Sequence, residues 1–158
     1  MSVLSALRSA GGAAGGVAIY FGAKAAVELA NFGRTRQKLS AATKRKLAPL
    51  FPKLDLGRVR IRTGCTLPGN WFQAAGKVRA MTFGYTVYFR AKSVQSTRRG
   101  LNDLMHELVH VDQVRRRRND ETRFARDYGK GFLSGGSYAK NPLEVEAYAF
   151  VAKNAFGT

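Results

Sequence analysis

The sequence predicts a single α+β domain, in which a small antiparallel sheet packs on a long helix and on a second helix near the C-terminus. Three observations predict it. The 158 residues are 45% hydrophobic, which suits one globular core. One central segment alternates apolar with charged residues and another is rich in aromatic and β-branched residues, as strands are, whereas apolar residues recur every three or four positions in later segments, as they do in helices. We place this domain at residues 38–158, after an apolar, glycine-rich segment at residues 1–37.

The segment before the domain is rich in small apolar residues between Ser9 and Ala30. We interpret it as a helix or arm that docks on the domain, docks on a partner, or stays free. Its composition also suits contact with a membrane. A membrane span normally needs roughly 20 uninterrupted apolar residues, however, and Lys24 and Glu28 interrupt this segment. A signal peptide is another alternative, but the apolar run after Arg8 is rich in glycine and poor in leucine.

The first elements of the domain are a short helix and a strand. A helix is predicted at residues 40–50, where Ser40 suits the N-cap and prolines follow. Residues 58–62 alternate arginine with Val59 and Ile61. This alternation predicts a half-buried strand whose two aliphatic side chains point inward and whose arginines face solvent.

The central part of the chain predicts a loop, more strand and then a long helix. Residues 64–76 are predicted to form a loop. Residues 78–90 are rich in aromatic and β-branched side chains, so we predict one long strand or a hairpin that turns at Gly84. The strand at residues 82–89 is predicted to offer an edge along which an extended peptide can pair. Leucines at helical spacing then predict a helix over residues 102–117.

That helix contains the arrangement H-E-x-x-H at residues 106–110. Side chains at positions i and i+4 share one face of a helix, so His106 and His110 can bind one metal ion. Glu107 lies one residue further round, where it contacts water at the metal without binding the metal. The chain has only two histidines, and chance produces this arrangement roughly four times in ten thousand. We predict a zinc site.

The third ligand of this site has to be a carboxylate, because both histidines are used and the single cysteine, Cys65, lies on a predicted loop. Asn141 and Pro142 suit the N-cap and first position of a second helix. That helix would present Glu144 to the metal. Alternatively, Glu144 closes a capping box with Asn141, and the residues alone leave both readings open.

These motifs resemble the zincin metallopeptidases of the gluzincin kind. In that family the pattern E-x-x-A-D on a second helix supplies the third ligand. Glu144 and Ala147 match it, whereas Tyr148 replaces the aspartate. The resemblance implies a minimal zincin-like fold with His106, His110 and Glu144 as zinc ligands and Glu107 as catalytic carboxylate.

A closer resemblance is to a bacterial domain of unknown function that is assigned to peptidases. That domain recurs on the cargo of extracellular contractile injection systems and in toxin-like proteins. Residues 56–61, 81–89 and 104–113 carry the resemblance, which covers roughly residues 40–153 and rests on the specificity of the metal motif. It implies a secreted or injected protein rather than a cytoplasmic one.

In a zinc peptidase, Glu107 would take a proton from water acidified by the metal and pass it to the leaving amine. The oxyanion needs a further donor. Tyr138, Tyr148 and Arg123 are the candidates, and Gln113, one turn beyond the second histidine, either contacts the site or faces solvent.

The net charge of +17 comes from 27 basic and 10 acidic residues and would attract an acidic partner or an anionic surface. A nucleic-acid binder is disfavoured, because the basic residues are scattered without interleaved aromatic side chains. We therefore expect a zinc-dependent endopeptidase that acts on a peptide or protein substrate. The alternative is a catalytically silent, metal-stabilised binding or cargo-docking module on the same fold.

Overall fold

The computed structural model describes residues 12–68 and 78–157, and these contain five α-helices and four short strands. The elements are α1 (Ala13–Ala30), β1 (Gln37–Lys38), α2 (Ala41–Leu47), β2 (Arg60–Arg62), β3 (Ala80–Phe83), β4 (Thr86–Phe89), α3 (Arg98–Arg116), α4 (Glu121–Gly135) and α5 (Pro142–Asn154), with a 3₁₀ turn (Tyr138–Lys140) before α5. The predicted α+β class is confirmed. Much of the predicted loop at residues 64–76, including Trp71, lies outside the described residues.

The four strands form one mixed sheet in the order β1-β2-β4-β3. Two neighbouring pairs are antiparallel, but β2 and β4 run parallel, with Ile61 opposite Val87. The prediction of a wholly antiparallel sheet is wrong in this pair. β3 precedes β4 along the chain but takes the outer position, so β4 lies between β2 and β3. Among the described residues the free edge at the hairpin is therefore β3, not the whole of residues 82–89.

Several local predictions are confirmed. The hydroxyl of Ser40 accepts a hydrogen bond from the N–H of Thr43, so Ser40 is the N-cap of α2, which ends at Leu47. Val59 and Ile61 are fully buried. The hairpin turns at Gly84, whose φ of 59° is a conformation that favours glycine.

Helix α3 packs against the sheet and contributes five buried residues to the main core, namely Leu104, Met105, Leu108, Val109 and Val111. It begins at Arg98, four residues before the predicted start, because the hydroxyl of Thr97 accepts a hydrogen bond from the N–H of Gly100 and caps it. Leu104 and Leu108 are fully buried in the same cluster as the β4 side chains. This packing fixes the rotation of α3 and so fixes where its histidines point.

Helix α4 was not predicted from the sequence. Its glycines disfavour a helix in an isolated sequence, although Phe124, Tyr128 and Phe132 recur at four-residue spacing. Asp120 caps its start by accepting a hydrogen bond from the N–H of Arg123. Gly136 closes it with a φ of 70°, which is the usual left-handed end of a helix. Phe124 and Phe132 are buried, and the helix forms one wall beside α3.

Helix α1 packs on the opposite face of the sheet and against α4. Gly16 and Gly129 let the two helices approach closely, since a Cβ added to Gly16 would lie 2.8 Å from the Cα of Gly129. The hydroxyl of Tyr20 donates to Glu121 at 2.9 Å and accepts the N–H of Gly84 at 3.2 Å. Lys24 completes the contact with a 3.0 Å ion pair to Glu121. The helix is thus fixed both to α4 and to the hairpin.

Candidate metal centre

The two histidines project from α3 one helical turn apart. Their Nε2 atoms are 3.2 Å from each other. Both side chains are largely buried, and their rings lie edge to face, with centroids 5.0 Å apart. The four-residue spacing therefore brings two imidazole nitrogens close together, as predicted from the sequence.

Helix α5 brings Glu144 to the same point. Asn141 caps the helix by accepting a hydrogen bond from the N–H of Leu143 at 3.1 Å, and Pro142 occupies the first turn. The N–H of Asn141 bonds to the carbonyl of Tyr138, so Glu144 does not close a capping box. Instead its Oε2 lies 3.2 Å from the Nε2 of His106 and its Oε1 lies 3.3 Å from the Nε2 of His110.

The two imidazole nitrogens lie 3.2 Å apart, and each lies 3.2–3.3 Å from one of the two carboxylate oxygens of Glu144. Ligands bound tetrahedrally at about 2.0–2.1 Å from a metal are separated from one another by about 3.3–3.4 Å. His106, His110 and Glu144 are therefore positioned to bind one metal ion. Three protein ligands in a tetrahedron leave the fourth position for water or substrate.

The charges of this cluster favour the deprotonated carboxylate that a metal requires. Burial alone would lower the pKa of His110, but the negative charge of Glu144 and its hydrogen bond raise that pKa to about 9. Burial alone would raise the pKa of Glu144, but the charge of His110 and hydrogen bonds from both histidines lower it overall. Glu144 is thus held ionised despite its burial.

Glu107 lies beside the three ligands, on the wall of the same cavity, which has a volume of about 520 Å³. The hydroxyl of Thr82, on β3, donates a 2.6 Å hydrogen bond to its Oε2. The sheet edge therefore holds the catalytic carboxylate predicted from the motif in one orientation, while the metal ligands come from the helices below.

Both predicted tyrosines line this cavity, but Arg123 does not. The ring of Tyr148 lies 4.6 Å from the ring of His106, and Tyr138 hydrogen-bonds to Glu144. Burial and the charge of Glu144 raise the pKa of both phenols, so each remains a hydrogen-bond donor at neutral pH. Arg123 pairs with Asp120 at the exposed start of α4.

Sequence reasoning missed Tyr128 because it missed α4. The hydroxyl of Tyr128 donates a 2.7 Å hydrogen bond to Oε1 of Glu144. Burial and the charge of Glu144 raise the pKa of this phenol well above its usual range, which keeps the proton on it. The bond orients the carboxylate, a role that partners of metal ligands commonly have.

Gln113, whose role the sequence left open, is fully buried and linked to the site. Its Oε1 lies 2.9 Å from the Nδ1 of His110. Its amide nitrogen donates to the carbonyl of Leu143 at 2.9 Å and to Glu146 at 3.1 Å, both on α5. Because the amide oxygen can only accept, it keeps a proton on Nδ1, so Nε2 is the nitrogen that loses its proton when a metal binds.

Replacement of Gln113 by leucine is expected to weaken zinc binding about 10- to 100-fold, because the variant loses the bond that fixes the His110 tautomer. Gln113→Glu keeps an oxygen for Nδ1 but loses the donors to Leu143 and Glu146 and sets a second carboxylate beside Glu146, so it is also expected to weaken zinc binding, by a smaller factor than the leucine variant. Competition with a chromogenic chelator measures both dissociation constants, and circular dichroism checks the fold. Equal affinity of the leucine variant and wild type would contradict the assigned role.

Comparison with known proteins gives one match. Residues 38–118, which are 81 of the 158, match the family model described as the eCIS core domain. The matched part runs from β1 to just beyond α3 and includes His106, Glu107 and His110, whereas Glu144 lies after it. No curated protein and no solved structure matches the chain.

Proposed function

The chain belongs to the eCIS core domain family, and we propose that this protein, associated with an extracellular contractile injection system, is a zinc-dependent peptide hydrolase. The observation that carries the proposal is the cluster of His106, His110 and Glu144, whose donor atoms approach one another to 3.2–3.3 Å, with Glu107 beside it in one cavity. A metal site built only for stability has no need of a second, non-ligating carboxylate in its cavity.

Two imidazoles and one carboxylate are the ligand set that many catalytic zinc sites use. Tetrahedral geometry and nitrogen-rich ligands favour zinc over magnesium or calcium, which prefer six or more oxygen ligands. Zinc in this site would supply Lewis acidity, which makes water more acidic and polarises a substrate carbonyl.

The chain's own residues supply the proton transfers and charge stabilisation. Glu107 accepts a proton from the attacking water and returns it to the leaving amine, a role that suits a carboxylate held in place by Thr82. Tyr138 and Tyr148 keep their protons at neutral pH. Either phenol can donate to the carbonyl oxygen as negative charge develops on it.

An extended substrate fits the free edge of β3, which borders the cavity. The N–H of Arg90 bonds to the carbonyl of Arg79, so hydrogen-bonded pairs alternate along the hairpin. By this alternation the backbone groups of Ala80 and Thr82 face away from β4 and toward the free edge. A peptide that pairs with them would pass the metal ligands in an extended conformation.

The experiment that tests this proposal is cleavage of a proteome-derived peptide library by zinc-loaded protein, with new N-termini identified by mass spectrometry. We expect cleavage that a chelator stops and that added zinc restores. Cleavage is also expected in segments that can extend, and not inside intact helices, because pairing with β3 requires an extended chain. A library left intact by fully zinc-loaded protein would contradict the proposal.

One observation favours the alternative of a silent, metal-stabilised docking module. The ligand side chains of His106, His110 and Glu144 are only 12%, 8% and 2% exposed, and the site ties α3 to α5. A metal at such a point would stabilise the fold whether or not it acts on a substrate. The docking module would gain thermal stability with zinc and cleave nothing, so the two functions are separated by the same library.

A further inference from the structure

Helix α1 presents an apolar face that nothing in the described part of the chain covers. Its outward positions, with the aromatic residue just after the helix, are Ala14, Ala18, Phe21, Ala25, Leu29 and Phe32. Leu29 and Phe32 are 79% and 90% exposed. The charged side chains of α1, Lys24 and Glu28, turn toward the protein, where they contact Glu121 and Tyr88. The outward face is therefore apolar over the length of the helix.

By length and composition α1 could cross a membrane, but its inner face is anchored to the domain. Gly16 packs directly on Gly129, and Tyr20 and Lys24 both bond to Glu121. Crossing a bilayer would break these contacts and place the charged side chains of Lys24 and Glu28 in hydrocarbon, which is costly. A helix with one anchored face and one apolar face instead suits a position in the plane of a membrane surface.

Basic side chains surround the C-terminal end of this helix. Arg34 and Arg36 follow α1 and are exposed. Arg62 donates to the carbonyl of Asn31 at 3.1 Å, and Arg34 and Lys92 lie together beside Gly64. An apolar face bordered by cations matches a surface that carries negative charge above hydrocarbon. A second copy of the chain is a poorer match, since each copy carries a net charge of +17.

We propose that α1, together with Phe32 and the basic residues Arg34 and Arg36, docks the protein on an anionic phospholipid bilayer. The apolar side chains enter the boundary between headgroups and acyl chains, and the arginines bind lipid phosphates. The inner face of α1 lines the metal cavity through Ile19 and Tyr20. Docking therefore holds the cavity about one helix diameter, roughly 10 Å, from the bilayer. This surface does not depend on the proposed peptidase activity.

Vesicle flotation with the full chain tests the proposal. Wild type is expected to float with vesicles of phosphatidylcholine containing about 30% phosphatidylglycerol, and only weakly with phosphatidylcholine alone. The double variant Leu29→Ser/Phe32→Ser is expected to lower the partition coefficient about tenfold or more. Arg34→Gln/Arg36→Gln is expected to lower it by a similar factor, and this loss should shrink as salt rises.

Control variants remove an apolar side chain or two positive charges from other parts of the surface. Val145→Ser removes a half-exposed apolar side chain from α5, and Arg45→Gln/Lys46→Gln removes two exposed charges from α2. Both controls should partition like wild type. The proposal is overturned if wild type does not float or if the controls lose as much vesicle binding as the α1 variants. It is also overturned if light scattering shows that wild type is a dimer and that Leu29→Ser/Phe32→Ser makes it monomeric without changing its vesicle binding.

Discussion

Replacing Glu107 by glutamine is expected to lower the rate of peptide hydrolysis by about a thousandfold or more, because the amide cannot accept the proton of the attacking water. The change preserves size and keeps an oxygen that can accept the Thr82 hydrogen bond, now 2.6 Å long. Glu107 is not one of the three candidate metal ligands, so zinc content should stay at the wild-type value. The measurement is kcat/KM on a cleaved library peptide together with zinc content.

Two comparisons make this result specific. Glu28→Gln is the same chemical change on α1, where the side chain contacts Tyr88 and does not line the cavity, so its rate should match wild type. Tyr138→Phe and Tyr148→Phe keep the base and are expected to lower kcat less, by about 10- to 100-fold, for whichever phenol stabilises the oxyanion. An active Glu107→Gln variant would contradict the assignment of Glu107 as the base.

The parts of the fold that the sequence predicted are those set by local pattern. Val59 and Ile61 alternate with arginines and are buried, and Ser40 and Asn141 cap the helices that follow them. Side chains four residues apart on one helix lie close together in any tertiary context. The proximity of the two histidines could therefore be predicted without knowledge of the fold.

What the sequence left open depends on contacts between distant segments. The parallel pairing of β2 with β4 joins segments that are distant in the sequence, and no local pattern in either strand sets the direction of pairing. Whether Glu144 caps its own helix or faces the histidines depends on the position of α3, whose His106 lies 38 residues earlier in the chain. Tyr128 contacts Glu144 from a helix in which Gly129 packs against α1, whereas in an isolated sequence such a glycine disfavours a helix.

Replacing either Glu144 or His110 by alanine is expected to reduce bound zinc from about one ion per chain to almost none, because two remaining ligands do not hold zinc against dialysis. The two substitutions should have similar effects, because a donor atom of Glu144 or of His110 lies 3.2–3.3 Å from a donor atom of each of the other two ligand residues. Plasma mass spectrometry on protein purified without chelator or affinity-tag metal gives the stoichiometry. Thermal unfolding with and without zinc gives an independent measure, since a ligand that binds only the folded state raises Tm.

Glu146→Ala is the matched control, because Glu146 lies on the same helix two residues away and bonds to Gln113 and Arg116 rather than to the histidines. Gln113 keeps its bond to the carbonyl of Leu143 in that variant, so zinc should remain bound. Zinc retained by Glu144→Ala would place the third ligand elsewhere, and metal-free wild type in excess zinc would remove the basis for a metal centre. Zinc lost from both ligand variants while cleavage persisted would show that hydrolysis does not use this site, even though the geometry of a metal centre was correct.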